Sequence, residues 1–329
     1  MSERDDLANE SAAFDGRIEA RVAAGLVPDL RRAVKCDYFY KSFWRDPHFL
    51  RLHLGTKVAG FLAMLEKHAG PHQRILDVGC GPGVISLELA RAGHHVVGID
   101  VSKSAIRVAR ETLASNPFRE GFGSLEYRVL PFMGARGSYD VLLFSGAIHH
   151  FRDPKEVVAR ATTLLPPRGL LLCGEPCHEE WRLEDAAQVA LIRILLSMTG
   201  FWYEQLGSEL YGNSERLLGY IRDVYTEYVE EHDKDEPAQS PNDNACSGRD
   251  ILAAVLDRFD ELERQPSCSF IYRLFGGMRG PDEVIHALAD FLNSYDRLGT
   301  REGFLRPSGF YFLGRKKPGP LPSPVVGQG

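Results

Sequence analysis

The chain has 329 residues, 44% of them hydrophobic, and a formal charge of −6. This length suits one enlarged domain or two small ones, with ample material for a packed core. The acidic excess disfavours a sequence-independent grip on nucleic acid, which needs a basic surface. The charged N-terminus, the lack of a long apolar run and six scattered cysteines predict a cytoplasmic protein without a membrane span.

The N-terminal region, residues 1–71, predicts a helical extension. Residues 1–16 show no clear pattern and are expected to fray. Apolar residues recur at helical spacing over 18–34 and over 49–65, which predicts two helices. The segment between them is dense in aromatic side chains, namely Tyr38, Tyr40, Phe43 and Trp44. These aromatic residues form either a wall of an apolar pocket or ordinary packing of a helix against the core.

Residues 75–83 are the most informative segment of the chain. An apolar strand runs into a turn with alternating glycines, and a helical pattern follows at once. This arrangement is typical of α/β proteins, and it predicts backbone amides that face a bound nucleotide. Residues 96–100 predict a second buried strand that ends in Asp100, where the acidic residue of a nucleotide-binding unit holds the ribose hydroxyls.

The glycine spacing narrows the choice of ligand. Gly79, Gly81 and Gly83 depart from the dinucleotide pattern, and no Gly-Lys-Ser/Thr sequence for phosphate follows. Asp77 adds negative charge beside the turn, which disfavours a pyrophosphate and suits a cation. A different Rossmann-like nucleotide binder remains the alternative at this point.

The elements that follow alternate between strand and helix. They are strand 72–79, helix 83–92, strand 95–100, helix 103–114, strand 124–129, strand 139–145, helix 153–165 and strand 169–175. This alternation predicts a parallel sheet with helices on both faces, and ligands beyond the carboxyl ends of the strands.

The regular alternation of strands and helices ends after residue 176. Helices are predicted over 183–198, 214–228 and 247–259, with an acidic loop over 230–244. Residues 268–275 and 309–316 predict the last two strands, so that 177–246 and 276–307 become insertions in the core. Residues 317–329, rich in Pro and Gly, are expected to be disordered.

Five motifs resemble those of class I S-adenosylmethionine-dependent methyltransferases. They are 76–83 (LDVGCGPG), 98–102 (GIDVS), 139–145 (YDVLLFS), 149–154 (HHFRDP) and 164–169 (LLPPRG). The resemblance implies a doubly wound α/β fold with a mostly parallel seven-stranded sheet, an N-terminal helical extension that serves as a lid, and helical insertions. It makes 72–176 the cofactor-binding core, 177–246 a substrate or lid insertion, and 247–316 the completion of the sheet.

The resemblance also implies S-adenosyl-L-methionine as cofactor and S-adenosyl-L-homocysteine as product. The residues it assigns to the cofactor are Asp77, Gly79, Cys80, Gly81, Gly83, Asp100, Val101, Ser102, Leu130, Pro131 and Ser145. Relatives often carry an acidic residue after the third strand for the adenine amino group. This chain has none there, so a backbone group would have to take that role.

Candidate catalytic residues follow the fourth and fifth predicted strands. A neutral histidine can accept a proton from a hydroxyl or amine near neutral pH, so His149 and His150 are the first candidates. One or both could instead only fix the loop. Glu175 and His178 are further candidates at the end of the fifth strand. The spacing of Cys173, Cys177 and His178 matches no standard zinc site, so we expect no metal.

The predicted activity is transfer of a methyl group to an oxygen or nitrogen of a small, partly apolar molecule, in a biosynthetic role. Trp202 and Tyr203 join the N-terminal aromatic residues as candidate walls of the acceptor pocket. They could equally seal the inserted helices, or an interface of a homodimer. A methyltransferase for RNA or protein, and a non-catalytic cofactor-binding subunit, are the alternatives. Fold alone does not decide between them.

Overall fold

A computed structural model describes residues 3–36, 42–229 and 245–318. Its centre is a seven-stranded sheet with the order β3-β2-β1-β4-β5-β7-β6. The strands are β1 Arg74–Val78, β2 His95–Asp100, β3 Ser124–Val129, β4 Val141–Ser145, β5 Leu170–Pro176, β6 Phe259–Pro266 and β7 Gly309–Lys316. Strands β1 to β5 are parallel, and β7 runs antiparallel between β5 and β6. The mostly parallel, doubly wound sheet predicted from the sequence is therefore confirmed.

Eleven α-helices lie in the described residues, and most of them flank the sheet. They are α1 Glu3–Ala23, α2 Pro47–Leu50, α3 Thr56–His68, α4 Val84–Arg91, α5 Lys103–Ala114, α6 Pro154–Leu164, α7 Leu183–Met198, α8 Ser214–Val229, α9 Gly248–Arg258, α10 Tyr272–Phe275 and α11 Asp282–Glu302. Helices α6 and α9 pack on one face of the sheet, and α3 and α4 on the other. None of the described helices has the length and apolar character needed to cross a bilayer.

The central strands are apolar because both of their faces are covered. Val141, Leu142, Leu143 and Phe144 of β4 are all fully buried, with side chains that alternate between the two hydrophobic clusters of the core. Such continuous apolar runs are typical of parallel strands. This burial explains why the strands could be located from the sequence.

A separate hydrophobic cluster, called here the cap, forms beside the carboxyl end of β5. It joins Phe49 of α2 with residues of α7, α8, α10 and α11. Two excursions from the sheet build it, one after β5 and one between β6 and β7. Because Pro176 of β5 pairs with Gly309 of β7, both excursions leave the sheet near the same edge. The cap thus stands where an α/β sheet binds its ligands.

The sixth strand lies elsewhere than the sequence predicts. Residues 268–275 form a turn and the short helix α10, whereas β6 comes immediately after α9. Strand β6 is at the edge of the sheet and carries charged side chains, so it lacks the apolar run that marks the central strands. Residues 268–275 are apolar because they pack in the cap, where Asp296 accepts the amide hydrogens of Ser269, Phe270 and Ile271.

The N-terminal prediction is also wrong in its boundaries. Helix α1 begins at Glu3, inside the segment that was expected to fray, and it ends at Ala23 instead of continuing to residue 34. Gly25, with a φ of 93°, and Pro28 break the helix after Ala23. Helix α1 is held by tertiary contacts with α5, which the local pattern does not reveal.

Candidate active site

The glycine turn after β1 requires glycine at three positions. Gly79, Gly81 and Gly83 have φ values of +69°, +52° and +85°, a region that other residues rarely adopt. A side chain at Gly83 would collide with the Tyr127 ring. A Cβ atom at Gly81 would have no neighbour within 4 Å. The turn is therefore packed on one side and open for a ligand on the other.

The backbone amides of this turn do not face the ligand side, which corrects the expectation from the sequence. The amides of Gly79 and Cys80 both donate to the Ile99 carbonyl, at 2.9 and 3.1 Å. The Gly81 amide donates to Asp100 Oδ2 at 2.9 Å. These bonds tie the turn to β2, so the turn offers the bare Cα of Gly81 instead of its amides. The Cys80 side chain packs beside Tyr127 and α5.

Two carboxylates lie behind and beside the turn. Asp77 is 1% exposed, and its Oδ2 accepts a hydrogen bond of 2.5 Å from the Ser86 hydroxyl. Burial raises the pKa of Asp77 to about 7, and the charge of Asp100 adds to the effect. Burial also raises the pKa of Asp100, against the hydrogen bonds from the Ser102 and Gly81 amides. No Lys or Arg of the described residues forms an ion pair with either group, so the site favours a cationic ligand.

Glu175 and His149 form a buried pair at the carboxyl ends of β5 and β4. Glu175 Oε2 lies 2.8 Å from His149 Nδ1, and Oε1 accepts the amide hydrogens of Ala147 and Ile148, each at 3.0 Å. Burial alone would raise the pKa of Glu175, but the His149 side chain and these amides lower it overall. The carboxylate thus fixes the loop and receives the Nδ1 hydrogen, which leaves Nε2 of His149 as a proton acceptor.

This loop touches the glycine turn. A Cβ atom at Gly79 would lie 3.0 Å from the Cβ of Ala147, two residues before His149. Ser145 and Gly146, which connect β4 to the loop, are half-buried. The glycine turn, Asp100 and this loop thus adjoin one another, and the region between them is called the groove below.

His150 points to α1 instead of β5. Its Nδ1 is 3.2 Å from Glu10 Oε1, and its ring packs edge-on against Phe14. Its ring also lies 4.1 Å from that of His149, measured between centroids. The structure therefore gives the two histidines different partners.

Helix α1 covers the end of the groove at β2. Ser11 Oγ donates to the Val101 carbonyl at 3.0 Å, and Ser102 Oγ donates to Asp15 Oδ1 at 2.6 Å. Ser102 is also the N-cap of α5 and is fully buried, so its side chain does not line the groove. Leu130, half-buried, donates its amide to the Asp100 carbonyl, and the exposed Pro131 follows it.

The predicted aromatic walls separate in the structure. Tyr38 and Tyr40 lie outside the described residues. Phe43 and Trp44 stack on each other in a short 3-10 helix. Trp202 is 6% exposed inside the cap, under the Arg193 guanidinium, which matches the sealing alternative.

Tyr203 is half-buried beside Trp202 and close to Arg279. His178 is buried in the 3-10 helix after β5, which packs toward α8. The structure thus associates both residues with the cap, and it joins neither of them to the pair formed by His149 and Glu175 through any contact it describes.

One group of possible metal ligands occurs among the described residues, away from the groove. Ligand atoms of Asp46, Asp282 and His286 lie within 4.8 Å of one another. The Lys35 ammonium contacts both carboxylates, at 3.6 Å from Asp46. Asp46 and Asp282 also border a cavity of about 300 Å³, together with Lys35, Arg45 and Arg279. The group is best described as an ion-pair network between the N-terminal segment and α11.

Sequence reasoning missed two basic residues, His53 and Lys57, at the boundary between core and cap. Both are half-buried, and His53 belongs to a π-helical turn, Arg51–Gly55, that joins α2 to α3. The signal was present, since two basic residues stand four positions apart in a mainly apolar helical segment. Their neighbours come from the distant segment 268–272, which no local pattern could supply.

Comparison with known proteins identifies a domain in part of the chain. A family described as a methyltransferase domain matches residues 69–207. The ubiquinone biosynthesis O-methyltransferase of Acinetobacter baylyi is 31% identical over 134 residues, which cover 38% of this chain and 54% of the relative. The protein of the same name from Bordetella avium is 33% identical over 134 residues, covering 38% and 53%. The chain spans about half the length of these curated relatives.

A solved structure extends the similarity of fold to nearly the whole chain. The cyclase SpnF has a TM-score of 0.50 and 13% identity, with 95% of this chain and 96% of that chain covered. At this identity the likeness concerns the fold alone. Residues 69–207 therefore form a methyltransferase domain, in agreement with the order of the strands in the sheet.

Proposed function

We propose that this protein is a S-adenosyl-L-methionine-dependent methyltransferase that acts on an oxygen of a small, partly apolar molecule in a biosynthetic pathway. The observation that carries the proposal is the pair of His149 and Glu175 in the groove that holds the glycine turn. The curated relatives, both named O-methyltransferases of ubiquinone biosynthesis, favour oxygen over nitrogen as the accepting atom.

The groove fits the cofactor in shape and charge. The open face of Gly81 admits a ligand against the backbone, and Asp100 keeps lone pairs for ribose hydroxyls beyond its two amide partners. Asp77 and Asp100 supply negative charge for the ammonium and sulfonium groups. Gly79, Cys80, Gly83, Val101, Leu130, Pro131 and Ser145 are the remaining proposed contacts. The bound cofactor supplies an electrophilic methyl group.

His149 is the proposed general base and Glu175 its positioning residue. Because Glu175 takes the Nδ1 hydrogen, Nε2 can receive the proton that the acceptor hydroxyl loses. Burial of the pair keeps water away from the reacting atoms and strengthens this hydrogen bond. His150, bonded to Glu10, is proposed to hold α1 over the cofactor and to take no proton.

A small acceptor fits better than a macromolecule. The formal charge of −6 offers little for RNA, and α1 and the cap flank the groove on two sides. Label transfer tests this directly. Purified protein is incubated with methyl-labelled cofactor and a cell extract that is split into small-molecule and macromolecular fractions. Label in the small-molecule fraction is expected, and label on RNA or protein would overturn the substrate class.

Variants separate catalysis from binding. His149→Gln is expected to lower turnover by about 10²–10⁴-fold while leaving affinity for S-adenosylhomocysteine within about twofold. The matched control is His150→Gln, which changes the neighbouring ring and should retain most of the turnover. Equal turnover of wild type and His149→Gln would refute the base. Binding without any label transfer would instead support a non-catalytic subunit.

We also propose a homodimer in the cytoplasm. An apolar surface joins α7 and α11, which meet through a hydrogen bond from Gln188 to Tyr295. Its most exposed members are Leu191, Leu195, Met198 and Phe291, each more than half exposed. Light scattering of wild type and Leu195→Glu tests the dimer, since the variant should be monomeric. The six unpaired cysteines suit a reducing compartment.

A further inference from the structure

The helix that leads into the core carries a rare π-helical turn. Residues Pro47–Leu50 are α-helical, Arg51–Gly55 are π-helical, and Thr56–His68 are α-helical again, with αR backbone angles at the junctions. π-helical turns are costly and are frequent at functional sites. This turn holds His53, and Lys57 follows one helical turn later. A local distortion therefore presents these two side chains where the core meets the cap.

His53 lies between aromatic rings from two other parts of the chain. Its ring centroid is 4.5 Å from that of Phe43 and 5.7 Å from that of Tyr272, to which it is nearly parallel. Neither ring nitrogen makes a hydrogen bond with a described residue. The half-buried imidazole thus forms part of an aromatic wall with polar atoms still available.

Lys57 points into the same region without a partner. It is half-buried, and it forms no hydrogen bond or ion pair with any residue in the described ranges. The Glu175 carboxylate on β5 acts on the pKa of Lys57, and Phe61, one turn after Lys57, would lie 3.0 Å from a Cβ atom at Gly174, next to Glu175. Glu175 is the residue that orients His149. Lys57 therefore lies on the cap side of the proposed base.

Aromatic side chains flank Lys57 along the helix on both sides. Tyr311 of β7 packs edge-on against Phe61, one turn after Lys57 on α3, with 5.5 Å between centroids. Tyr272 of α10 faces His53. A half-buried lysine that forms no hydrogen bond or ion pair with a described residue is costly, and a ligand anion would lower that cost. A planar ring that carries a negative oxygen matches both features.

From this geometry, and resting on the proposed function, we propose that Lys57 binds the accepting oxygen and that the acceptor is an aromatic molecule with an acidic hydroxyl, a phenol. The hydroxyl O–H bond breaks, its proton passes to Nε2 of His149, and the oxygen keeps the electron pair as a phenolate beside the Lys57 ammonium. That electron pair is then available for the bond to the methyl carbon. His53 and Tyr272 hold the ring.

The electrostatics of neighbouring groups agree with this arrangement. Burial, with the charge of Lys57, lowers the pKa of His53 to about 3, so His53 is neutral and cannot balance an anion. Burial lowers the pKa of Lys57 as well, against the opposing effects of Cys268 and Glu175. Burial raises the pKa of the Tyr311 hydroxyl, which stays neutral. A phenolate would restore the charged state of Lys57.

A spectroscopic titration tests the proposal without methyl transfer. The probe is 4-nitrophenol, whose phenol and phenolate absorb at different wavelengths, added to the complex of full-length protein with S-adenosylhomocysteine. We expect the protein to bind the phenolate preferentially, with the apparent pKa of the bound probe at least about one unit lower than in water. Lys57→Met should lose this shift, a change of about 10-fold in phenolate affinity, and Lys57→Arg should retain most of it.

Controls make each outcome decisive. Lys67→Met removes a lysine from the same helix that pairs with Glu263, and it should leave the shift unchanged. A probe that fails to bind, binds as neutral phenol, or binds equally to Lys57→Met overturns the inference. Failure to bind S-adenosylhomocysteine in calorimetry would overturn the proposed function instead. Thermal unfolding of each variant confirms that loss of the shift is not loss of the fold.

Discussion

Asp77 couples the pH dependence of stability to the cofactor site. Its carboxyl group is buried behind the glycine turn with the Ser86 hydroxyl as its hydrogen-bond partner. Burial raises its pKa from 3.8 to about 7, so the folded state binds a proton that the unfolded state has lost between these values. The free energy of unfolding should therefore fall as the pH rises through this window.

The size of this loss of stability follows from the pKa shift of Asp77. A rise from 3.8 to about 7 corresponds to about 4 kcal/mol of lost stability above the folded-state pKa, at ~1.4 kcal/mol per pKa unit. Asp77→Asn removes the charge but leaves an amide hydrogen to be satisfied, at a cost of about 1–3 kcal/mol. We expect the variant to be less stable than wild type at pH ~4 and more stable by about 1–3 kcal/mol at pH ~8.

Urea unfolding of the cofactor-free protein across this pH range measures the crossing of the two curves. The control is Asp140→Asn. The hydrogen bond from Arg74 lowers the pKa of Asp140 from 3.8, so the contribution of Asp140 changes only below this value, and the control curve should run parallel to that of wild type at higher pH. Parallel curves for wild type and Asp77→Asn would refute the reasoning. The same variant should weaken binding of the cationic cofactor, since it removes the charge that the cofactor would compensate.

Three further predictions concern the base, the turn and the fold. Glu175→Gln should present an amide N–H to His149, force the tautomer with Nε2 protonated, and lower kcat by about 10²–10⁴-fold in the label-transfer assay. Gly83→Ala should lower the melting temperature strongly because of the Tyr127 ring, whereas Gly81→Ala should cost only about 1–2 kcal/mol and act mainly on S-adenosylhomocysteine affinity in calorimetry. For Asp29, burial is outweighed by hydrogen bonds from Arg91 and Arg32, which hold its pKa at about 2. Asp29→Asn should therefore cost about 2 kcal/mol at neutral pH in urea unfolding, and wild type should lose this contribution as the pH falls through about 2.

The parts of the fold that the sequence predicts are those with local causes. Strand β4 is apolar because it is buried on both faces, and α5 matches its predicted bounds of 103–114. Strand β6 escaped prediction because an edge strand needs few apolar residues. The N-terminal part of α1 was not predicted because Ser11 and Asp15 form their hydrogen bonds with residues near position 102.

The candidate site also has features that motifs predict and features that depend on the folded sheet. Motifs placed Asp100 and the glycine turn correctly at the end of the sheet, but not the direction of the turn amides, which depends on pairing with Ile99. The bond between His149 and Glu175 joins two strand ends, and its geometry needs the folded sheet. The environment of Lys57 could not be predicted from the sequence, because it includes residue 268, which lies more than 200 positions later in the chain.

The charges of the groove are arranged with opposite signs on the two sides of His149. The side of the glycine turn carries Asp77 and Asp100 without a matching Lys or Arg among the described residues. The cap side carries Lys57, which forms no ion pair with any described residue. Each side alone is destabilising, because a buried charge without a partner costs free energy. A cationic donor on the first side and an anionic acceptor on the second would relieve both. The same pair would bring the electrophilic carbon and the nucleophilic oxygen together at His149. On the proposed function, the free energy lost by burying these charges would return as affinity for the two reactants.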